Sequence, residues 1–319
     1  MQKGKLGTIN TAIVGYGNLG KACEQQIRQR SDEFNLVGAF SRRQQPGTIP
    51  LDNIMKYRGL IDVVLFCGGS SNDAPIMVPR LNEDGLSTVD SYDNHGEIPN
   101  YLKTLQAATD KSGTTAIVGA GWDPGLLSIQ RVLNKAFMPN GVQNTLYGGE
   151  SGGLSMGHSN AVRGVPGVKM GIQLTFARND AQQSAHEGQK VAGNERHKRV
   201  CYVVSEPGVS KKLIKEQICN MPEYFKGQQT IVNFIDEQEF LQKYSNLFTH
   251  GGQIISVDPN AKTNFSIEMK SNPELTATAM LAYTRANREM HSRLMSGAFT
   301  IADVPPAWLI KEEDRLGLI

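Results

Sequence analysis

Gly15, Gly17 and Gly20 form a G-x-G-x-x-G pattern directly behind the apolar run Ala12-Ile13-Val14. Glycines at that spacing suit one kind of chemistry, bringing backbone N–H groups against a pyrophosphate. The first permits a tight turn out of a strand, the second leaves room where a Cβ would block the phosphates, and the third lets the next helix pack closely on the strand. A helix predicted over 18–30 points its N-terminal N–H groups and the positive end of its dipole at the same anion. Tyr16, Asn18 and Leu19 fill the turn between the glycines. With a strand before it and a helix after it, the pattern reads as a dinucleotide site.

The end of the next strand selects the dinucleotide. An NAD site usually carries Asp or Glu there to accept from the ribose 2′-hydroxyl. This chain has Ser41-Arg42-Arg43 behind the apolar run Leu36 to Phe40, and its acidic residues Asp32 and Glu33 precede that run. Guanidinium groups form charge-assisted forks with a phosphate, so the segment predicts NADP. Cys67-Gly68-Gly69-Ser70-Ser71, behind a third apolar run, is expected to line the same cofactor site.

A nicotinamide enzyme also needs groups that orient a substrate and handle one proton. Asp93 and Asp123 each fall just past a predicted strand end. Two carboxylates there suit a cationic group such as an ammonium. From position alone, Asp93 reads equally as a turn-forming residue, and Asp123, followed by Pro124, as the cap of a helix running toward Phe137. Arg199, in Arg196-His197-Lys198-Arg199 at the start of a predicted strand, reads as a carboxylate clamp or as part of a solvated charge cluster. His158 and His250 are ambiguous in the same way. The four cysteines are scattered with no C-x-x-C pair, which predicts neither a metal site nor a disulfide framework.

The elements that must position these residues alternate. Strands are predicted at 9–14, 35–40, 61–66, 86–89 and 115–119, with helices at 18–30, 73–83 and 97–111 between them. This is the rhythm of an α/β, Rossmann-type doubly wound parallel sheet, whose ligands bind at the carboxyl ends of the strands. Beyond about residue 140 the rhythm changes. After the glycine-rich stretch 148–153, strands are expected at 170–177, 200–204, 229–235, 253–257 and 263–269, which implies a second, α+β domain with an antiparallel or mixed sheet. A helix is predicted from Pro273 to Met295. The expected division is a dinucleotide domain at 1–121, a substrate and dimerisation domain at 122–272, and a tail 273–319 that packs back on the first.

Composition narrows the classes. The chain has 319 residues, 39% hydrophobic and 20% charged, enough for two ordinary globular domains. A net charge of +2 is too near zero to suggest a nucleic-acid partner. No apolar run approaches a membrane span, and Met1-Gln2-Lys3-Gly4-Lys5 leaves no room for a signal peptide. With unpaired cysteines, this leads to an expectation of a cytoplasmic protein.

Several segments together resemble one family. They are Val14 to Gly20, Phe40 to Arg43, Val89-Asp90-Ser91-Tyr92-Asp93-Asn94-His95, Gly121-Trp122-Asp123-Pro124-Gly125, Gly157-His158-Ser159, His197-Lys198-Arg199, His250-Gly251-Gly252, Asn272-Pro273 and Ser296 to Thr300. In order, over nearly the whole chain, they are similar to the meso-diaminopimelate D-dehydrogenases. The resemblance implies NADP-dependent oxidative deamination of meso-2,6-diaminopimelate at its D-centre. The product is L-2-amino-6-oxopimelate, the open form of tetrahydrodipicolinate, and the reverse direction serves lysine biosynthesis. It also implies a homodimer. By the same resemblance Asp93 and Asp123 hold the reacting amino group and Trp122 packs beside it. Met156 and Gly157 lie in a loop near the D-centre carboxylate, and Thr175, Arg199, His250 and Asn272 bind the distal L-centre. Many members carry Trp where this chain has Tyr147 and Gln where it has Met156, which leaves a broader-specificity D-amino acid dehydrogenase of the same family as the alternative. A sugar dehydrogenase of this architecture would carry a Glu-Lys-Pro tripeptide, which is absent.

Overall fold

The computed structural model describes residues 7–318 apart from 71, 150, 151 and 223, so Ser71, part of the 148–153 stretch and the N-terminal Met1 to Lys5 lie outside the described residues. The chain divides into two compact units, Met1–Ile129 with Pro273–Ile319, and Gln130–Asn272.

The first unit is built on a seven-stranded sheet. Its strand order is Gly297–Thr300, Thr115–Val118, Thr88–Asp90, Val63–Phe66, Ile9–Val14, Phe34–Ser41 and Ile49–Pro50. Every pairing is parallel. The inner strands are apolar at nearly every position, and alternation splits them between two faces. Ile9, Ile13, Leu65, Val89 and Ile117 pack with Cys23 and Ile27 of the helix Asn18–Gln29, and with Ala277, Met280, Leu281 and Met290 of the helix Asn272–Ser292. Ala12, Val14, Val64, Phe66, Ala116 and Val118 pack with Val78 and Leu81 of the helix Ala74–Glu83, and with Tyr101 and Leu105 of the helix Ile98–Ser112. A parallel sheet whose strands are apolar on both sides needs helices on both faces. The crossovers then deliver the loops after Val14, Ser41, Phe66, Asp90 and Val118 to one edge.

The five predicted strands of this unit are present, with no end moved by more than two residues. Two edge strands, Ile49–Pro50 and Gly297–Thr300, escaped prediction: the first is only two residues long, and the second, Gly297-Ala298-Phe299-Thr300, has no run of β-branched or large apolar residues. The helix predicted to begin at Asp123 begins instead at Leu126, and the peptide between Asp123 and Pro124 is cis. Asp123 is therefore not that helix's N-cap.

The second unit holds two sheets. In the four-stranded one, Gln229–Phe234 runs parallel to His197–Ser205, which pairs antiparallel with Val168–Ala177, followed by Gly153–Leu154. Val162, Cys201, Val203, Ile214, Phe225 and Val232 form one core of this unit, and Leu154, Ile172, Leu174, Val204 and Phe240 form another. The other sheet is an antiparallel triplet of Ala261–Met269, His250–Asp258 and Val142–Tyr147. Strand Val142–Tyr147, which leads into the glycine stretch, was not anticipated. Met156 and Gly157, expected in a loop, lie in the first turn of the helix Met156–Arg163, because the chain turns helical directly after Ser155. Among the described residues no helix is long and apolar enough to cross a membrane.

Candidate active site

The dinucleotide residues converge at the sheet edge of the first unit. A cleft of about 390 Å³ is lined by Gly15, Tyr16, Gly17, Ser41, Arg42, Arg43, Cys67, Gly68 and Gly69, among others. Each fingerprint glycine has its own reason. Gly15 sits at φ +96°, and a Cβ there would lie 2.7 Å from the Cys67 backbone. A Cβ at Gly20 would lie 2.2 Å from the Gly15 carbonyl oxygen, so helix and turn touch backbone to backbone. Gly17 differs: its φ is −83°, and a Cβ there would meet no protein atom within 4 Å. Nothing in the protein requires glycine at 17. A pyrophosphate lying against that bare backbone does, and the residues present fit a bound dinucleotide. Asn18 and Leu19 open the helix behind the turn.

At the ribose end, Arg42 and Arg43 are exposed and Ser41 is buried. The Ser41 hydroxyl accepts the Arg43 backbone N–H at 3.1 Å, fixing the turn that presents both guanidinium groups. Arg42 Nη2 is 2.7 Å from Asp73 Oδ2. Asp73 also accepts the Gly69 N–H at 3.1 Å, so one carboxylate ties the arginine loop to the glycine loop after Phe66. Sequence reading missed Asp73, whose place before Ala74-Pro75 suggests only a helix cap.

Two neighbouring strands of the same sheet, Thr88–Asp90 and Thr115–Val118, carry the proposed carboxylates on the loops that follow them. Asp93 is exposed, and its Oδ1 accepts the Ser70 hydroxyl at 2.6 Å while its N–H donates to Ser70 Oγ at 3.0 Å. Ser70 thus joins the third loop to the fourth without lining the cofactor cleft. The Asp123 side chain is only 2% exposed, with Ser128 Oγ 3.4 Å and His95 Nε2 3.9 Å from its Oδ1. Trp122, half-buried, precedes it. Two carboxylates near one sheet edge, one shielded and one open, form an environment for a cation.

Beneath both loops lies Asp90, which sequence reading did not single out. It is 1% exposed. Its Oδ1 accepts the Tyr92 N–H at 2.9 Å and the Gly119 N–H at 3.4 Å, and its Oδ2 accepts the Tyr101 hydroxyl at 2.8 Å. Burial pushes its pKa up to about 6, against the pull of these three donors toward the charged form.

The remaining predicted residues belong to the second unit. Strand register sets Arg199 opposite Thr175, and Arg199 Nη1 donates to Thr175 Oγ1 at 2.6 Å. The Gln173 amide also donates to Thr175 Oγ1, at 3.2 Å, leaving the threonine's own proton for another acceptor. Arg199 is half-buried, its Nε has no hydrogen-bond partner, and no carboxylate lies within ion-pair distance among the described residues. Two histidines flank this cation. Burial, then the Arg199 charge, drives His158 down to about 4 and His197 to about 3. Both rings are neutral at physiological pH, and His197 Nε2 accepts the Tyr147 N–H at 2.7 Å. His158 Nδ1 is 2.8 Å from Ser155 Oγ. The positive charge is therefore concentrated on Arg199. A largely desolvated, unpaired guanidinium is costly unless an anion completes it. His250 opens its strand and accepts the Gly251 N–H at 2.8 Å, and the Asn272 N–H donates to the Phe248 carbonyl at 3.1 Å. Met156 is exposed. Among the described residues no cluster of His, Cys, Asp or Glu could hold a metal ion.

The raised Asp90 carboxyl gives a pH-dependent stability of defined sign. A folded-state pKa above the unfolded value near 3.8 favours the protonated group, so its contribution is full below about 3.8 and lost as pH rises through about 6. Asp90→Asn has no such proton to lose. Its unfolding free energy relative to wild type should therefore rise between pH 4 and pH 7 and level off above, by roughly 1–3 kcal/mol. Denaturant titrations across that range showing a constant difference would refute this assignment.

Comparison with known proteins agrees with the geometry. The diaminopimelic acid dehydrogenase C-terminal domain family matches residues 121–272. The chain is 37% identical over 316 residues to the meso-diaminopimelate D-dehydrogenase of Lysinibacillus sphaericus, covering 94% of this chain and 95% of that one. It is also 37% identical over 321 residues to that of Corynebacterium glutamicum, covering 98% of each. Among solved structures, the C. glutamicum DAP dehydrogenase in complex with DAP matches with a TM-score of 0.88 at 35% identity, over 98% of this chain and 99% of that one. An engineered D-amino acid dehydrogenase bound to NADP+ matches with a TM-score of 0.82 at 34% identity, over 97% and 99%. With a shielded carboxylate site, a cleft shaped for a dinucleotide and this likeness along nearly its full length, the chain belongs to the meso-diaminopimelate D-dehydrogenase family.

Proposed function

We propose that this protein oxidatively deaminates meso-2,6-diaminopimelate at its D-centre, with NADP, to L-2-amino-6-oxopimelate and ammonia, reversibly and in lysine biosynthesis. The observation that carries this reading is the placing of Asp93 and Asp123 behind neighbouring strands of the sheet that also bears the glycine turn. Bound NADP supplies the hydride acceptor. The protein's residues do the rest. The reacting ammonium must lose a proton before its nitrogen lone pair can form the C=N bond. A carboxylate within reach takes that proton, and Asp93 or Asp123 fills the role. Water then attacks the imine, and ammonia leaves. Asp123, shielded from solvent, attracts the ammonium more strongly than an open carboxylate would. Trp122 packs beside that centre, and Met156 and Gly157 present the helix start to its carboxylate. Arg199, with Thr175, His250 and Asn272, takes the distal L-centre. Gly15 to Gly20, Ser41 to Arg43 and Cys67 to Gly69 hold the cofactor, while Ser70 ties their rim to Asp93. A substrate with two carboxylates and two ammonium groups accounts for a site set that mixes Asp with an unpaired Arg. We also infer a homodimer, formed through the second unit, in the cytoplasm.

The direct test is NADPH formation on adding meso-diaminopimelate at alkaline pH, with the LL-isomer as control. Asp123→Asn should lower turnover by about 10²-fold or more while the protein stays folded. Near-normal turnover in that variant would remove Asp123 from the chemistry.

Replacing Arg42 and Arg43 together by Ala should raise the Michaelis constant for NADP and leave that for NAD nearly unchanged. Each charge-assisted contact to the 2′-phosphate is worth roughly 1.5–3 kcal/mol. Equal changes for both cofactors would rule out the phosphate contact.

Arg199→Lys should act through substrate length, because Lys cannot copy a forked contact to a carboxylate. Loss of a contact worth about 2 kcal/mol would shift the ratio of specificity constants, meso-diaminopimelate over a short D-amino acid, by roughly 30-fold. An unchanged ratio would mean that Arg199 does not meet the distal carboxylate.

A further inference from the structure

We propose that Asp90 is a positioning residue for the deamination: its buried side chain sets where the loops bearing Asp93 and Trp122–Asp123 leave the sheet. The inference rests on the deamination reading above and adds a residue to it. Asp90 is the last residue of strand Thr88–Asp90, and it grips both loops within their first two residues. On its own side, the bond from the Tyr92 N–H to Oδ1 closes a turn two residues long and fixes the direction in which Asp93 emerges. On the neighbouring side, the Gly119 N–H reaches the same oxygen, and the Ala120 N–H donates to the Asp90 backbone carbonyl at 2.8 Å. Three residues further on stands Asp123.

The second loop leaves little freedom to compensate. Gly119 lies at φ +77°, where side chains are disfavoured, and a Cβ there would lie 3.0 Å from Pro124. The turn from Gly119 to Pro124 is thus packed against itself, and its attachment to Asp90 orients it as a block. The other carboxylate oxygen is held from below by Tyr101, whose ring lies 4.4 Å, centroid to centroid, from that of Tyr92. An apolar residue at 90 would leave the Tyr92 and Gly119 N–H groups and the Tyr101 hydroxyl without their acceptor in a buried site. Asparagine would not. Its carbonyl can face the two N–H groups while its amide donates to the Tyr101 oxygen. The cofactor cleft stands apart from this network, since its lining residues include none of Asp90, Tyr92, Tyr101 or Gly119.

The experiment compares Asp90→Ala, Asp90→Asn and Tyr101→Phe with wild type. It measures turnover and Michaelis constant on meso-diaminopimelate, the dissociation constant of NADPH, and the emission and quenching of Trp122 in a Trp308→Phe background, which leaves Trp122 as the sole tryptophan. Asp90→Ala should lower turnover by about 30- to 100-fold, the scale of an ångström-sized misplacement, with NADPH affinity within about twofold of wild type. It should also change the accessibility of Trp122 to quencher. Asp90→Asn should recover turnover to within about fivefold and restore the Trp122 signal, and Tyr101→Phe should fall between the two. Wild-type turnover in Asp90→Ala overturns the proposal. So does equal loss in Ala and Asn, or a loss of NADPH affinity in step with turnover, which would mark general damage to the sheet. If Asp90→Ala does not fold, Tyr101→Phe decides: reduced turnover at unchanged NADPH affinity supports the role, and unchanged turnover refutes it. If wild type does not act on meso-diaminopimelate, the deamination reading fails by itself. The Trp122 signal still judges the placement, with a signal unmoved in Asp90→Ala refuting it.

Discussion

Two-sided burial of the central strands is the constraint on which the rest of the first unit depends. Ile13 faces one core while Ala12 and Val14 face the other, and all three are essentially inaccessible to solvent. A strand apolar on both faces cannot lie at a wet surface. It requires helices above and below, and helices joining parallel strands require crossovers of one hand. Every loop after a strand then emerges along one edge. The glycine turn, the arginine turn, the glycine loop after Phe66 and both carboxylate loops share that edge because the core leaves them no other exit.

Along that edge, adjacent loops are tied by side chains that the chemistry itself does not use. Asp73 links the arginine loop to the Gly69 loop. Ser70 links the Gly69 loop to Asp93, and Asp90 links the Asp93 loop to the Asp123 loop. Each tie includes a hydrogen bond or an ion pair between residues close in space but 23 to 31 positions apart in sequence. Loops are the least constrained part of a fold. A chain of such contacts converts four of them into one connected rim, which is what holding reacting groups at fixed distances demands.

In the second unit the deciding effect is electrostatic. Arg199 is half-buried with two neutral histidines near it and no carboxylate partner among the described residues. A carboxylate built in beside it would neutralise the site and stabilise the fold. Leaving the cation unpaired reserves its attraction for an incoming anion. The antiparallel register that sets Thr175 across from Arg199 adds a hydroxyl to the same patch.

The sequence by itself determined the alternating first unit, its parallel sheet and its dinucleotide turn. Those features rest on short-range rules: continuous apolar runs, glycine spacing and arginines directly behind a strand. It also marked Asp93, Asp123 and Arg199 as chemically meaningful, though their type and position alone left each with a bland reading. Only the tertiary structure decided that Asp123 is shielded and not a helix cap, that Met156 and Gly157 begin a helix, and that Arg199 has no counter-charge among the described residues. Only it revealed Asp73 and Asp90, whose partners lie 31 and 29 positions away in Arg42 and Gly119. The physical reason is the range of the interactions. Backbone conformation and strand burial follow from neighbours along the chain, whereas desolvation, charge pairing and shared hydrogen-bond acceptors depend on which distant segments the packed core brings side by side.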